Sequence, residues 1–121
     1  MRNKGYIEKS WGYELIWATN DMYCGKLMVY TKPGTKSSMH FHKDKDETWF
    51  VNAGQFILRY IDTATGEHKE LVLKEGDTWN NPPLQPHQLE SLQPNSIIFE
   101  VSTADDTDDT YRLIAGTPSV T

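Results

Sequence analysis

The hydrophobic residues of this sequence occur in short runs that are separated by turn-forming residues. Several runs alternate apolar and polar positions, as strands do, and no stretch keeps the period of an amphipathic helix. The pattern predicts nine strands, at residues 13–18, 26–31, 38–42, 48–51, 55–61, 71–73, 77–79, 88–92 and 97–101. Gly, Pro, Asn or Asp lies between most of them, which favours an all-β sandwich or barrel.

The clearest local unit is a hairpin over residues 55–73. Phe56, Leu58 and Tyr60 lie two apart along the chain, so their side chains share one face of a strand. Residues 62–68 are polar and turn-like, and an apolar return strand follows them. The sequence therefore predicts two antiparallel strands joined by a loop in this region.

Composition is typical of a small globular protein. The 121 residues are the length of one domain and contain no linker or repeat, so we expect a single domain over residues 1–121. The one cysteine, Cys24, cannot form an internal disulfide, which favours a reducing compartment. Because there is also no apolar run of membrane-spanning length and no signal-peptide pattern, we expect a cytoplasmic protein.

The charge pattern argues against nucleic acid and membrane partners. The net charge is −5, and four acidic residues cluster within residues 104–110, which we expect to form a solvated loop. No group of Lys and Arg is available to neutralise phosphates. We therefore expect neither nucleic acid nor an anionic membrane to bind this chain.

Two of the four histidines form a His-x-His pair, His40 and His42. Side chains two apart on a strand project to one face, about 6–7 Å apart, so the two imidazoles can converge on one ion. Glu47 can approach them if the charged segment before it bends the chain, and a proline-rich turn directs His87. A His-x-His pair taken alone is also typical of polar surface positions. His68 lies in a charged loop, and we interpret it as a surface residue.

Three neutral imidazoles and one carboxylate form a mixed nitrogen and oxygen site. Such a site suits Zn, Mn, Fe, Ni or Co better than a cation that prefers only oxygen or only thiolate. Four protein ligands leave two positions open on an octahedral ion, and a catalytic metal needs open positions. The expected cofactor is one divalent transition metal.

The spacing of these residues resembles that of the cupin superfamily. The residue types of the first cupin motif occur here in the same order and at the same separations, at Gly34, His40, His42, Glu47 and Gly54. Residues 76–91 resemble the second motif, with Leu84 in a place that usually holds Gly. The resemblance implies an all-β fold, the single-domain cupin double-stranded β-helix or jelly-roll barrel, with a metal-binding core at about residues 34–91.

Carried over residue by residue, the metal ligands of the family fall on His40, His42, Glu47 and His87. The flanks are similar to those of type II mannose-6-phosphate isomerase-like cupins, in the opening segment 9–14, the proline-rich segment 82–90 and the close at 99–113. The bifunctional sugar-phosphate enzymes usually carry Gln at the position of His40. This resemblance implies a metal-dependent isomerase or epimerase that acts on a sugar or sugar phosphate.

Isomerisation of an aldose to a ketose moves hydrogen between adjacent carbons. It needs a group that polarises the carbonyl, here the metal, and a base that carries the proton. Glu100 is the candidate base and Lys26 a candidate proton donor, because each lies on a predicted strand at a parity that can face the cavity. Each also fits an outward-facing position.

The substrate-binding candidates are side chains that suit a sugar or its phosphate: Tyr30, Trp49, Asn81 and Arg112. Trp49 shares the parity of Glu47 and can either stack on a sugar ring or pack in the core. Asn81 is either a polar contact in the cavity or a strand end. Arg112 is favoured by the resemblance as the cation for a phosphate, and Lys36 and Arg59 are alternatives.

Two other functions stay open at this point. An oxygen-activating cupin, such as an Fe(II)-dependent dioxygenase, uses the same donor set, and a non-catalytic cupin senses or stores a small ligand. The expected partner is a small molecule in every case. The resemblance also implies a homodimer, which the apolar segment 13–17 would form by adding to the sheet of a partner.

Overall fold

A computed structural model describes residues 5–118 of the chain. These residues form eleven strands and one 3₁₀ turn, at Thr107–Asp109, and include no α-helix. The strands are β1 (Tyr6–Lys9), β2 (Gly12–Thr19), β3 (Tyr23–Tyr30), β4 (Met39–Phe41), β5 (Glu47–Ala53), β6 (Gln55–Ile61), β7 (His68–Lys74), β8 (Thr78–Asn81), β9 (His87–Ser91), β10 (Ser96–Thr103) and β11 (Tyr111–Ile114). No helix among the described residues is long and apolar enough to cross a membrane.

The strands form two antiparallel sheets, and the all-β prediction is confirmed. The six-stranded sheet has the order β1-β2-β3-β10-β5-β8, and the five-stranded sheet has the order β11-β4-β9-β6-β7. Neighbours that are distant in sequence therefore pair in both sheets, as in a jelly roll. The predicted hairpin is present, because β6 pairs with β7 along its whole length.

The core lies between the sheets and changes character along the strands. Its apolar part includes Val51 and Ile98, which lie opposite each other in the β5–β10 pair and are fully buried. Further along the same pair, toward the start of β5, the inward positions are polar: Glu100 lies opposite Trp49, and Glu47 comes at the start of β5. Alternation on both strands thus brings charged side chains to one end of the interior.

The nine predicted strands are all present, whereas β1 and β11 are additional. β1 is short and mixes polar and apolar residues, and every residue of β11 is exposed, so neither carries the pattern of a buried face. Both are edge strands. Their formation depends on pairing with β2 and β4, which a local pattern does not report.

The acidic segment 104–110 is exposed at most of its positions, as its composition predicts, but it is also anchored to the rest of the fold. Asp106 caps its 3₁₀ turn, because the Asp106 side chain accepts a hydrogen bond from the Asp108 N–H group, and the turn ends on the buried Asp109. The Asp109 carboxylate accepts hydrogen bonds of 2.8, 3.0 and 3.1 Å from the three backbone N–H groups of residues 43–45. The segment therefore holds the loop between β4 and β5 in place.

The expectation that segment 13–17 adds to the sheet of a partner is wrong for a structural reason. β2 is paired with β3 on one side and with β1 over residues 12–15 on the other, and the Ile16 amide donates to Gly5, so most hydrogen-bonding groups of segment 13–17 are already used. The sequence did not reveal β1, which covers this edge. The homodimer itself stays a prediction, without this route.

Leu84 adopts a backbone conformation that favours glycine. Its φ is 72°, in the left-handed region, within the turn that leads into β9. Its amide donates to the carbonyl of His42 at 2.7 Å, so the strained turn is tied to the segment after β4. The glycine usually found at this position would avoid the contact between Cβ and the backbone.

We expect Leu84→Gly to raise the free energy of unfolding by about 0.5–1 kcal/mol. The left-handed conformation costs a non-glycine residue about 1–2 kcal/mol, and the greater freedom of glycine in the unfolded chain offsets about half of that. Urea denaturation would measure the change. Asn95→Gly is the matched control, because Asn95 has a φ of 55° and asparagine tolerates this region. A Leu84→Gly protein less stable than wild type would contradict the expectation.

We expect Asp109→Asn to lower the free energy of unfolding at pH 7 by about 2 kcal/mol. Hydrogen bonds to a charged group contribute about 1.5–3 kcal/mol, and in the variant the amide N–H₂ group would face a backbone donor. Burial by itself raises the pKa of Asp109, but the backbone hydrogen bonds from residues 43–45 outweigh it and leave the pKa lowered. The stabilisation is therefore complete above about pH 4, the unfolded value, and disappears as pH falls through the lower folded pKa.

Urea denaturation of wild type, Asp109→Asn and Asp108→Asn between pH 2 and 7 would test this. Asp108 is exposed and serves as the control for the same chemical change. The difference between wild type and Asp109→Asn should shrink as the solution is acidified. An equal effect of both substitutions, or a difference that does not depend on pH, would count against a carboxylate anchor at Asp109.

Candidate metal centre

The three histidines of the predicted site lie together inside the sandwich. His40 on β4 lies opposite His87 on β9, and His42 follows β4. The ring centroids are 4.6 Å apart for His40 and His87, 5.2 Å for His40 and His42, and 5.6 Å for His42 and His87. One ligand atom from each ring lies within 4.8 Å of the others, which is the arrangement of a three-histidine metal site.

Each imidazole is oriented by a hydrogen bond from Nδ1 to a backbone carbonyl. The acceptors are Ser38 O at 2.9 Å for His40, Asp109 O at 2.8 Å for His42 and Gln85 O at 3.0 Å for His87. A carbonyl oxygen only accepts, so Nδ1 carries a proton, and in a neutral ring Nε2 then keeps its lone pair. This is how metal-binding histidines are commonly held.

Glu47 completes the group of donors. Its Oε1 lies 2.7 Å from His87 Nε2, and its Oε2 lies 3.8 Å from His42 Nε2. His87 Nε2 is buried and has no hydrogen-bond partner of suitable geometry among residues 5–118. A lone pair and a carboxylate at 2.7 Å repel each other unless a proton or a metal ion lies between them. The donor set therefore fits a divalent metal, which replaces that proton on binding.

Protonation in the folded chain also suits metal binding. Burial, helped by the neighbouring His87, lowers the pKa of His40 to about 3, and burial lowers the pKa of His42. Burial by itself raises the pKa of Glu47, but its 2.7 Å contact with His87 and the charge of Lys45 leave that pKa well below the ordinary value. These are the protonation states that a metal requires of its ligands.

Glu100 is a second buried carboxyl beside this group. Its side chain is 3% exposed, and its Oε1 accepts a hydrogen bond of 2.9 Å from Trp49 Nε1. Its Oε2 is buried, has no hydrogen-bond partner of suitable geometry in the described part of the chain, and lies 3.3 Å from Lys45 Nζ. Burial, followed by the charge of Glu47, raises the pKa of Glu100 to about 7.

Two buried lysines connect the carboxyl groups of this interior. Lys26 Nζ lies 3.0 Å from Glu14, 3.7 Å from Glu100 and 3.5 Å from Asp105. Lys45 Nζ lies 2.9 Å from Asp105 and 3.5 Å from Glu47 Oε2. Burial by itself lowers the pKa of both lysines, but the charge of Glu100 opposes it most strongly, and both pKa values are raised. Both ammonium groups are therefore charged at neutral pH.

A cavity of about 640 Å³ joins the histidines, the charged side chains and the protein surface. One part of its wall is charged, and another part is apolar and contains Trp11, Met28, Tyr30 and Leu89. The segments that follow β1 and β11 contribute to the lining as well. The volume and the mixed wall suit a small molecule that has both polar groups and an apolar face.

The structure brings most of the predicted site residues to this cavity. The residues of the prediction that line it are His40, His42, Glu47, Glu100, Lys26, Tyr30, Trp49 and Arg112. His87 lies directly behind His40 and Glu47. Tyr30 is 1% exposed and stacks on Trp11 at 4.1 Å, and burial raises its pKa, so its hydroxyl stays protonated.

The cationic candidates and Asn81 differ in placement. Arg112 and Lys36 line the cavity and make no ion pair with another residue of the described 5–118 range. Arg59 instead pairs with Glu90 at 2.8 Å and is not part of the lining. Asn81 is buried but does not line the cavity either, because its amide is turned toward Glu47 at 3.2 Å.

Several residues of the site were missed by sequence reasoning. Lys45 belongs to a charged segment that reads as a turn, although it lies two residues from Glu47. Glu14 is a single acid within an apolar strand, which is a detectable signal, because an isolated charge at an inward position needs a partner. Asp109 carried no signal, since its role depends on how the acidic segment folds back.

Comparison with known proteins agrees with this geometry. The sequence pattern of the cupin domain matches residues 27–99. The chain is 27% identical over 103 residues to 3-hydroxyanthranilate 3,4-dioxygenase of Brucella anthropi, which is 84% of this chain and 54% of that protein. It thus spans about half the length of the curated relative it matches.

Solved structures share the fold at low sequence identity. The capsular polysaccharide assembling protein CapF from Staphylococcus aureus matches 91% of this chain and 32% of its own, with a TM-score of 0.76 and 20% identity. KdgF from Halomonas sp. matches 79% of this chain and 81% of its own, with a TM-score of 0.66 and 21% identity. With the domain pattern covering more than half of its length, the chain belongs to the cupin domain family.

Proposed function

We propose that this protein is a metal-dependent enzyme that isomerises or epimerises a sugar or sugar phosphate, with Glu100 as the acid and base. The observation that carries the proposal is the Glu100 carboxyl itself. It is buried in the cavity wall beside the metal-binding group, and its Oε2 has no hydrogen-bond partner of suitable geometry among the described residues. A buried polar atom of this kind is costly to stability and is typical of a functional group.

The residues of the chain divide the work of such a reaction. A divalent metal held by His40, His42, Glu47 and His87 would polarise the carbonyl oxygen of the substrate and offset negative charge on it. Glu100 removes the proton from the carbon next to the carbonyl. In an isomerisation it returns that proton to the former carbonyl carbon, while the proton of the neighbouring hydroxyl passes to the former carbonyl oxygen. In an epimerisation the proton returns to the same carbon on its opposite face. The proton and electron pair stay within the substrate and the enzyme, so no oxidant or reductant is needed.

Neighbouring side chains hold Glu100 ready for this role. The Trp49 N–H group fixes Oε1 and leaves Oε2 as the atom that exchanges the proton. Lys26 and Lys45, with Nζ atoms 3.7 and 3.3 Å from Oε2, stabilise the carboxylate when the proton has left. Lys26, predicted as a proton donor, is in this arrangement an electrostatic partner of Glu100.

The cavity wall supports a carbohydrate as the substrate. Ammonium and carboxylate groups alternate along its charged part, and they can donate to and accept from neighbouring hydroxyls of a sugar. The apolar part, with Trp11 and Tyr30, suits the C–H face of a sugar ring. Arg112 and Lys36 are the lining cations without an ion pair in the described chain, so we assign them to a substrate phosphate. The resemblance to mannose-6-phosphate isomerase-like cupins agrees with this substrate class.

A second candidate is an oxygen-activating enzyme that uses Fe(II). The similarity to 3-hydroxyanthranilate 3,4-dioxygenase, 27% identity over 103 residues, favours it. Three imidazoles and a carboxylate with open positions also bind Fe(II). In that case the chain would consume oxygen with iron and would show no activity with Zn²⁺ or Mn²⁺.

We expect one divalent metal per chain, bound through the histidine cluster. At a free concentration about 100 times its dissociation constant, the metal should raise the free energy of unfolding by about 2.7 kcal/mol. His40→Ala should abolish most of this gain, and His68→Ala should keep it, because His68 is exposed at the start of β7. Elemental analysis and thermal unfolding with Zn²⁺ or Mn²⁺ would measure both effects, and equal metal stabilisation in the two variants would refute the site.

We expect Glu100→Gln to reduce turnover by about 10²–10⁴-fold, because the amide cannot carry the proton. The metal-loaded protein would be incubated with a panel of aldose and ketose phosphates in D₂O, and NMR would follow deuterium entering the substrate carbon. Glu67→Gln, at an exposed loop position, is the control. Deuterium incorporation that is unchanged in Glu100→Gln would remove Glu100 as the base, and oxygen uptake with iron but no deuterium would support the second candidate instead.

A further inference from the structure

Two side chains on the inner face of β8, Trp79 and Asn81, are connected by hydrogen bonds to Glu47 on β5. Asn81 lies opposite Glu47 in the β5–β8 pair, and Trp79 lies opposite Trp49. Because residues two apart share a face of a strand, Trp79 and Asn81 both point inward. Trp79 Nε1 donates to Asn81 Oδ1 at 2.8 Å, and Asn81 Nδ2 donates to Glu47 Oε1 at 3.2 Å.

The orientation of the Asn81 amide follows from the chemistry of its neighbours. An indole N–H group only donates, so the amide oxygen must face Trp79. The amide N–H₂ group must then face Glu47, whose carboxylate accepts. Asn81 is 1% exposed, so water does not offer the amide an alternative partner. Trp79 thus determines which end of Asn81 meets the carboxylate.

Both oxygens of Glu47 have fixed neighbours as a result. Oε1 receives the Asn81 hydrogen bond and lies 2.7 Å from His87 Nε2. Oε2 lies 3.5 Å from Lys45 Nζ and 3.8 Å from His42 Nε2. A carboxylate that is held on both oxygens cannot turn freely about its terminal bond, so its lone pairs stay directed at the histidine cluster.

We infer that Asn81, oriented by Trp79, is a positioning residue that fixes the rotation of the Glu47 carboxylate and thereby sets the affinity of the site for a divalent metal. This inference rests on the metal centre of the proposed function. We therefore assign Asn81 this positioning role and not the predicted contact with substrate, because its side chain lies behind Glu47 and is not part of the cavity lining. Partners that orient metal ligands in this way typically change metal affinity by about 10–100-fold.

The test compares Co²⁺ binding by wild type, Asn81→Asp, Trp79→Phe and Asn52→Asp. Asn81→Asp keeps the shape and removes the donor to Glu47. Trp79→Phe leaves Asn81 intact and removes the N–H group that orients it. Asn52→Asp makes the same chemical change at an exposed position of β5 and is the matched control. Calorimetry would give the dissociation constants, the visible absorption of bound Co²⁺ would report the ligand geometry, and thermal unfolding without metal would report folding.

We expect Asn81→Asp to weaken Co²⁺ binding by about 10–100-fold. Trp79→Phe should weaken it in the same direction by less, and both should alter the absorption spectrum, whereas Asn52→Asp should match wild type. Suppose that wild type binds one Co²⁺ and that both Asn81→Asp and Trp79→Phe keep its affinity and spectrum. This result would overturn the role of Asn81 and would leave the metal centre supported. Failure of wild type to bind Co²⁺ would overturn both. If Asn81→Asp does not fold, Trp79→Phe decides the question, because its ring still fills the site.

Discussion

The metal centre depends on one interaction that occurs three times, the hydrogen bond from an imidazole Nδ1 to a backbone carbonyl. The carbonyls belong to Ser38, Gln85 and Asp109, which all lie outside the strands and so are free of strand pairing. Strands bring the three rings close, and these irregular segments turn them. Because a carbonyl cannot donate, each bond places a proton on Nδ1, so in the neutral ring the opposite nitrogen keeps the lone pair that a metal needs.

Charge balance explains why such a centre is tolerated in the interior. The buried ion-pair network beside the histidines consists of Glu14, Glu47, Glu100, Asp105, Lys26 and Lys45. When all are ionised, four carboxylates face two ammonium groups, and two negative charges are left over. A divalent ion compensates both, and a proton on Glu100 compensates one of them. Burial and, after it, the charge of Glu47 raise the pKa of Glu100, and the same excess of carboxylates suits the site to a metal.

Local spacing revealed some residues of the site, and the resemblance to cupins added Glu47 and His87. The spacing of His40 and His42 predicts that they converge, although His42 lies just beyond β4, and parity along β10 made Glu100 a candidate for an inward position. The all-β fold followed from the same alternation. Residues whose roles depend on distant parts of the chain were not found in this way. Lys45 pairs with Glu100 and Asp105, and Asp109 accepts from the backbone of residues 43–45. The amide of Asn81 is oriented by Trp79 only when β8 pairs with β5. A pattern along the chain reports which face a side chain takes and not what it meets there.

The position of β10 has a consequence for how the protein folds. This late strand lies between β3 and β5, so the six-stranded sheet stays divided until residues 96–103 are in place. The entropy of closing these long loops must be overcome before the contacts stabilise the chain, and all-β topologies of this kind fold in about milliseconds to seconds. During synthesis, β3 and β5 would therefore leave open strand edges until β10 emerges from the ribosome, which makes that interval the stage at which aggregation competes with folding.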